Sequence, residues 1–106
     1  VNNNILLKLV GYPITINLSL HEEQLLFIHA PFLSGQWPIN KIGVQVTHER
    51  ASVRIGITST DNAMLHQSWI VEAGQFEEIV SYFKGLGFPV PNPDPMGYAK
   101  ERALVH

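Results

Sequence analysis

Apolar and polar residues alternate with a period of two over most of positions 5–71, and one later stretch switches to a helical period. In Gly74–Leu86 (GQFEEIVSYFKGL), Phe76, Ile79, Val80, Phe83 and Leu86 fall at i, i+3, i+4, i+7 and i+10, so they share one face. Glu77, Glu78, Ser81 and Lys84 fall on the other. The spacing predicts an amphipathic helix. No Ser, Thr or Asp stands immediately before it, but Glu77 and Glu78 suit the positive end of a helix dipole, and Gly85 and Gly87 are stop signals.

The alternating part divides into strands. Ile5–Val10 is apolar except for Lys8 and ends at Gly11-Tyr12-Pro13, which carries turn chemistry. Ile14–Leu20 alternates most cleanly, with Ile14, Ile16, Leu18 and Leu20 on one side and Thr15, Asn17 and Ser19 on the other, as in a half-buried antiparallel strand. His21-Glu22-Glu23 reads as a polar turn, and Gln24–His29 as a third strand. Ala30–Asn40 holds Pro31, Gly35 and Pro38, which do not fit a central strand, so it reads as a loop or a broken edge strand. Lys41–Thr47 and Ser52–Thr58 predict a hairpin across His48–Ala51. After the turn cluster Ser59–Asn62, Met64–Val71 is a further strand, with Leu65, Trp69 and Val71 on one side and Met64, His66, Ser68 and Ile70 on the other. Phe88–Pro95 has four prolines and must be extended or turning, with Phe88 and Val90 available to pack as a wrapping arm. Tyr98–Val105 has the composition of a short terminal helix.

A run of strands with tight turns followed by one helix implies a single α+β domain that is mostly β. The expected form is six or seven antiparallel strands, as a curled sheet or two-layer sandwich, capped by one C-terminal amphipathic helix. A seventh strand would have to come from Pro31–Ile39. On element order over Ile5–Leu86, notably a Trp-containing strand running straight into GQFEEIVSYFKGL, the chain resembles the pleckstrin-homology-like architecture. That resemblance implies a peptide- or lipid-binding domain.

Composition narrows the chemistry. The chain has 106 residues, 15% of them charged, and a formal net charge of -2, which argues against the basic face that a nucleic-acid partner requires. With no cysteine, disulfides, thiolate catalysis and thiolate metal sites are excluded, and the absence of disulfide staples in so small a domain leans towards a cytoplasmic location. The apolar runs are too short to span a membrane, and Val1-Asn2-Asn3-Asn4 has no basic start of a signal peptide.

No catalytic or cofactor motif stands out. His21, His29, His48, His66 and His106 show no metal-ligand spacing, so neither a metal nor a cofactor is expected. A triad around Ser34 with His29 or His48, or a ribonuclease-like site of His48, His66 and Lys41, needs residues from separate strands to converge. A small histidine-dependent hydrolase or ribonuclease is therefore the third choice.

What remains is binding. Glu22-Glu23 and Glu77-Glu78 are either solvated pairs or an acidic rim for a basic protein. Trp69 points inward by its periodicity. Trp37, in the proline-interrupted stretch, is either a plug of the core edge or an interface anchor. In size, single-domain form, acidic pairs and lack of an active site, the chain resembles in type the immunity proteins of bacterial toxin–immunity pairs, such as those of contact-dependent growth inhibition. The resemblance implies a non-enzymatic cytoplasmic inhibitor that binds a cognate toxin, often a basic nuclease, and covers its active site. Such families share no diagnostic motif, so no residue is carried over. The candidate partner-binding residues are Glu22, Glu23, Asp61, Glu77 and Glu78 for the basic groove, with Trp37 or Tyr98 as the aromatic anchor.

Overall fold

A computed structural model describes residues 3–31, 33–59 and 65–90. Four strands form a first meander: β1 (Asn4–Lys8), β2 (Thr15–His21), β3 (Leu25–Ala30) and β4 (Leu33–Pro38). After a 3-10 turn at Ile39–Lys41, three strands form a second: β5 (Ile42–His48), β6 (Ser52–Ser59) and β7 (His66–Glu72). A 3-10 turn at Ala73–Gln75 then leads into helix α1 (Phe76–Gly85). All pairings are antiparallel, so the protein is mostly β, with seven strands in two sheets followed by one helix among the described residues.

The period of two decides which residues fill the space between the sheets. Ile5 and Leu7 stand opposite Leu18 and Ile16, and Leu26 and Ile28 continue the same face on β3. In the second sheet Val44 and Val46 oppose Ile57 and Ile55, and Val53 opposes Val71. All of these are buried, and Ile79 and Phe83 of α1 complete the core. Each buried aliphatic side chain of this kind contributes about 1.5–3 kcal/mol.

The two sheets meet along one corner. Beyond Lys8 the chain continues far enough for Leu9 to bridge Val71, and the Val10 N–H donates to the Ile70 carbonyl at 3.0 Å. The strand path is thus β4-β3-β2-β1-β7-β6-β5, a curled surface whose ends, β4 and β5, are joined in sequence by the Ile39–Lys41 turn.

Pro31–Ile39 does supply a seventh strand. It is tolerated because β4 lies at the edge, where Pro38 has no second neighbour to donate to. Gly35 opposes Ile28 on the core face, and a Cβ there would stand 2.9 Å from the Trp37 ring. The glycine lets the indole fold back over its own strand. The helix also departs from the sequence expectation, because Gly74 lies in the 3-10 turn and α1 starts at Phe76. Its buried face includes Tyr82, which helical spacing had not placed among the apolar positions. Past the helix, Phe88 meets Phe83 edge-on and Val90 is buried, so the arm packs as far as it is described. The expected Tyr98–Val105 helix lies outside the described residues. Among those residues no helix is long and apolar enough to cross a membrane.

Candidate functional site: an acidic hairpin tip

Among the described residues, the non-glycine positions with positive φ both lie in the β2–β3 turn. Glu22 and Glu23 have φ of 55° and 59°, both in the left-handed region. Positive φ at both central residues suits a right-twisted hairpin, and Asn-Gly usually supplies it. For a residue with a full side chain the left-handed conformation costs about 1–2 kcal/mol. The turn closes through the Gln24 N–H, which donates to the His21 carbonyl at 3.1 Å.

The strained tip is braced from two sides. The Ile39 N–H donates to the Gln24 carbonyl at 2.8 Å, pinning the hairpin to the turn between β4 and β5. At the strand end His21 lies against Phe27, with ring centroids 4.0 Å apart, and its Nε2 is 3.1 Å from the Ser19 hydroxyl. Both glutamates are exposed, and neither pairs with a cation among the described residues, where the resolved ion pair is Arg54–Glu49 at 2.8 Å. Beside the tip a cleft of about 490 Å³ runs between Glu23, Gln24 and Leu25 on one wall and Pro38, Ile39 and Asn40 on the other. The arrangement places two adjacent glutamates on a braced turn, open to solvent and next to a concave surface.

The other expected contact residues are placed differently. Glu77 and Glu78 sit in the first turn of α1, where the helix dipole favours them, and Glu78 accepts a hydrogen bond from Gln75 at 3.1 Å. This second acidic pair is exposed, with Glu78 engaged within the fold. It is also remote from the first. Gln75, at the start of the helix, is bonded to Leu6, whereas Tyr82 in its last turns reaches Asn3, whose carbonyl accepts from Leu20 just before the acidic tip. Trp37 opposes buried Leu26 and packs half-buried against the core, as a core-edge plug does, with part of its surface still accessible. Trp69 is likewise half-buried on the core side. Asp61 and Tyr98 lie outside the described residues.

The histidine sites are not assembled. His29 Nδ1 lies 3.2 Å from the Ser34 hydroxyl across the β3–β4 pair, but the contact is exposed and no described carboxylate orients the ring. His48 is on the other sheet, stacked on Phe76 with centroids 4.4 Å apart. Nor do His48, His66 and Lys41 converge. His48 opposes Val53 and His66 opposes Thr58, which puts about 17 Å of strand between them. Among the described residues no group of three or more His, Asp or Glu is placed to hold a metal.

Two side chains that periodicity passed over do structural work near these sites. The Gln75 amide donates to the Leu6 carbonyl and accepts the Lys8 N–H, each at 2.7 Å, filling the place of a neighbouring strand on β1. The Tyr82 hydroxyl donates to the Asn3 carbonyl at 3.2 Å, and burial pushes its pKa up from 10.0 to about 12. A Gln at the mouth of a helix and a Tyr among apolar neighbours were the only signals of either.

No family model matches the chain, no curated protein matches its sequence, and no solved structure matches its fold.

Proposed function

We propose that this chain is a non-enzymatic protein-binding module that neutralises a basic partner by occlusion, in the manner of an immunity protein acting on a cognate nuclease toxin in the cytoplasm. The observation that carries the reading is the Glu22–Glu23 tip. Backbone strain of this kind persists only where the surroundings hold it, and it concentrates at binding and catalytic positions. Here the braced turn presents two glutamates, unpaired among the described residues, beside a cleft, a geometry that suits a cationic surface and speeds encounter with it. Relative to the sequence expectation, the rim contracts to Glu22 and Glu23.

The test is coexpression with the product of the neighbouring upstream gene. The reading requires that product to be toxic alone, tolerated with this protein, and recovered with it as a stable complex. Glu22→Lys with Glu23→Lys should slow association and flatten its salt dependence, while Glu77→Lys with Glu78→Lys should have little effect. A harmless neighbour, or a complex indifferent to the Glu22/Glu23 reversal, overturns it.

A second reading is supported by the architecture. Four strands, then three, then a capping helix is the element order of a pleckstrin-homology-like domain, and such a domain would bind a peptide. A lipid headgroup is disfavoured, because Lys8, Lys41, Arg50, Arg54 and Lys84 are scattered over separate elements and form no shared basic loop cluster. A complex that survives the Glu22/Glu23 reversal and is competed by a short neutral peptide would favour this alternative.

A further inference from the structure

At the opposite end of the β2–β3 hairpin from the acidic tip, about 20 Å along the strands, the two sheets open into a cavity of about 330 Å³. Its walls are Leu9, Ile14, Leu33 and the Trp69 ring, with Tyr12 of the β1–β2 turn at the rim. Among the described residues no charged one lines it. Tyr12 and Val10, large apolar residues left exposed at 67% and 42%, both lie on this turn.

The polar exception is Gln67. It opposes Ile57, which is fully buried, so the register turns the Gln67 side chain to the core face of β7. Its neighbours on that face, Leu65, Trp69 and Val71, are all apolar. Yet the Gln67 amide makes no hydrogen bond to any described residue and borders the cavity. Gln67 is half-buried and its amide atoms still reach solvent, so in the empty protein the amide is free to meet a ligand at the cavity edge. Two observations thus coincide: a concave apolar space, and at its edge one donor–acceptor side chain without a partner among the described residues.

From these we infer that the open end of the sandwich is a binding site for a small uncharged aromatic molecule carrying one hydrogen-bonding group. Ligand sites have this composition, largely apolar with a few placed polar groups. A charged ligand would be desolvated here without a counter-charge. For scale, a dry cavity of about 150 Å³ accepts benzene, so this space has room for two fused rings. The Trp69 and Tyr12 rings supply faces for stacking, and Gln67 fixes the orientation by meeting the ligand's hydroxyl or N–H. The site is independent of the acidic tip, and its occupation leaves the tip free.

The experiment is a titration of the isotopically labelled full chain with 2-naphthol, followed by amide and indole N–H resonances. The expected result is saturable shifts confined to Leu9, Tyr12, Ile14, Leu33, Gln67 and Trp69. Gln67→Leu should weaken binding about fivefold, the loss of one hydrogen bond, while keeping a folded spectrum. Ala30→Leu, which fills the cavity from its wall, should abolish binding. If that variant fails to fold, exposed Tyr12→Ala should still weaken binding. Absence of saturable shifts up to the solubility limit overturns the inference. So do shifts centred elsewhere, equal affinity for the charged 2-naphthalenesulfonate, or unchanged affinity in both Gln67→Leu and Tyr12→Ala.

Discussion

The side-chain carbonyl of Gln75 accepts the backbone N–H of Lys8 at 2.7 Å, joining positions 67 apart in sequence. Its amide nitrogen closes the same clamp on the Leu6 carbonyl. These are β1 backbone groups on the side away from β2, and leaving them open would expose a strand edge just before Leu9 and Val10 take up β7. Gln75→Ala should therefore lower stability by about 1–2 kcal/mol, two modest hydrogen bonds replaced partly by water. Gln75→Glu should be no better, since it keeps the acceptor for Lys8 but sets a carboxylate against the Leu6 carbonyl and Glu78. Urea unfolding measures the loss, and amide exchange at Lys8 should quicken. Unchanged exchange there would show that the clamp contributes nothing.

Tyr82 gives the fold a dependence on alkaline pH. Burial holds its phenol at about 12, against 10.0 in the unfolded chain. Between those values the unfolded chain has released the proton and the native one has kept it. The unfolded state then binds fewer protons, so stability falls as pH rises through this window. Its contribution is fully present below pH 10. Tyr82→Phe should cost about 1 kcal/mol at neutral pH by losing the bond to Asn3. The variant should lack this part of the alkaline loss. Denaturant unfolding of the two proteins from neutral pH to about pH 12 checks both statements.

His48 and Phe76 join the last residue of β5 to the first of α1 by a stack only 18° from parallel. Removing either ring should loosen the start of the helix. In a double-mutant cycle of His48→Ala and Phe76→Ala, the coupling should be about 0.5–1.5 kcal/mol. A coupling near zero would mean that Phe76 is held by the core alone.

Which parts of this structure were legible in the sequence follows from the range of the forces involved. Alternation set the inner faces of β2, β5 and β6, because a one-residue slip would have turned Ile16, Val44 or Ile55 to water. The helix face followed from spacing in the same way. The edge strand β4 stayed ambiguous because Pro31, Gly35 and Pro38 forbid only a central strand, and edge position is a property of the whole sheet. Tyr82, Gln75 and Gln67 were missed for a common reason. Each is a polar or amphipathic residue whose role depends on a distant partner, or on a cavity that no local pattern encodes. Glu22 and Glu23 were noticed as charges. Their backbone conformation was invisible, since nothing in two consecutive glutamates suggests positive φ.

That conformation gives the most decisive prediction. Replacing Glu22 and Glu23 by Asn and Gly puts residues that favour positive φ where the hairpin requires it. Stability should rise by about 1–3 kcal/mol, since each glutamate pays about 1–2 kcal/mol for its left-handed backbone. For a domain near 100 residues that is a melting temperature higher by roughly 4–8 °C per kcal/mol. If the tip is the contact for a basic partner, the same variant should bind that partner more slowly while being the more stable protein. Glu22→Gln with Glu23→Gln should bind as slowly without gaining that stability, which separates the role of charge from that of strain. Gain of stability without loss of binding would leave the strain as a local cost and move the interface elsewhere. Loss of binding in both variants, with stability gained only in the first, is the outcome that the acidic-tip reading requires.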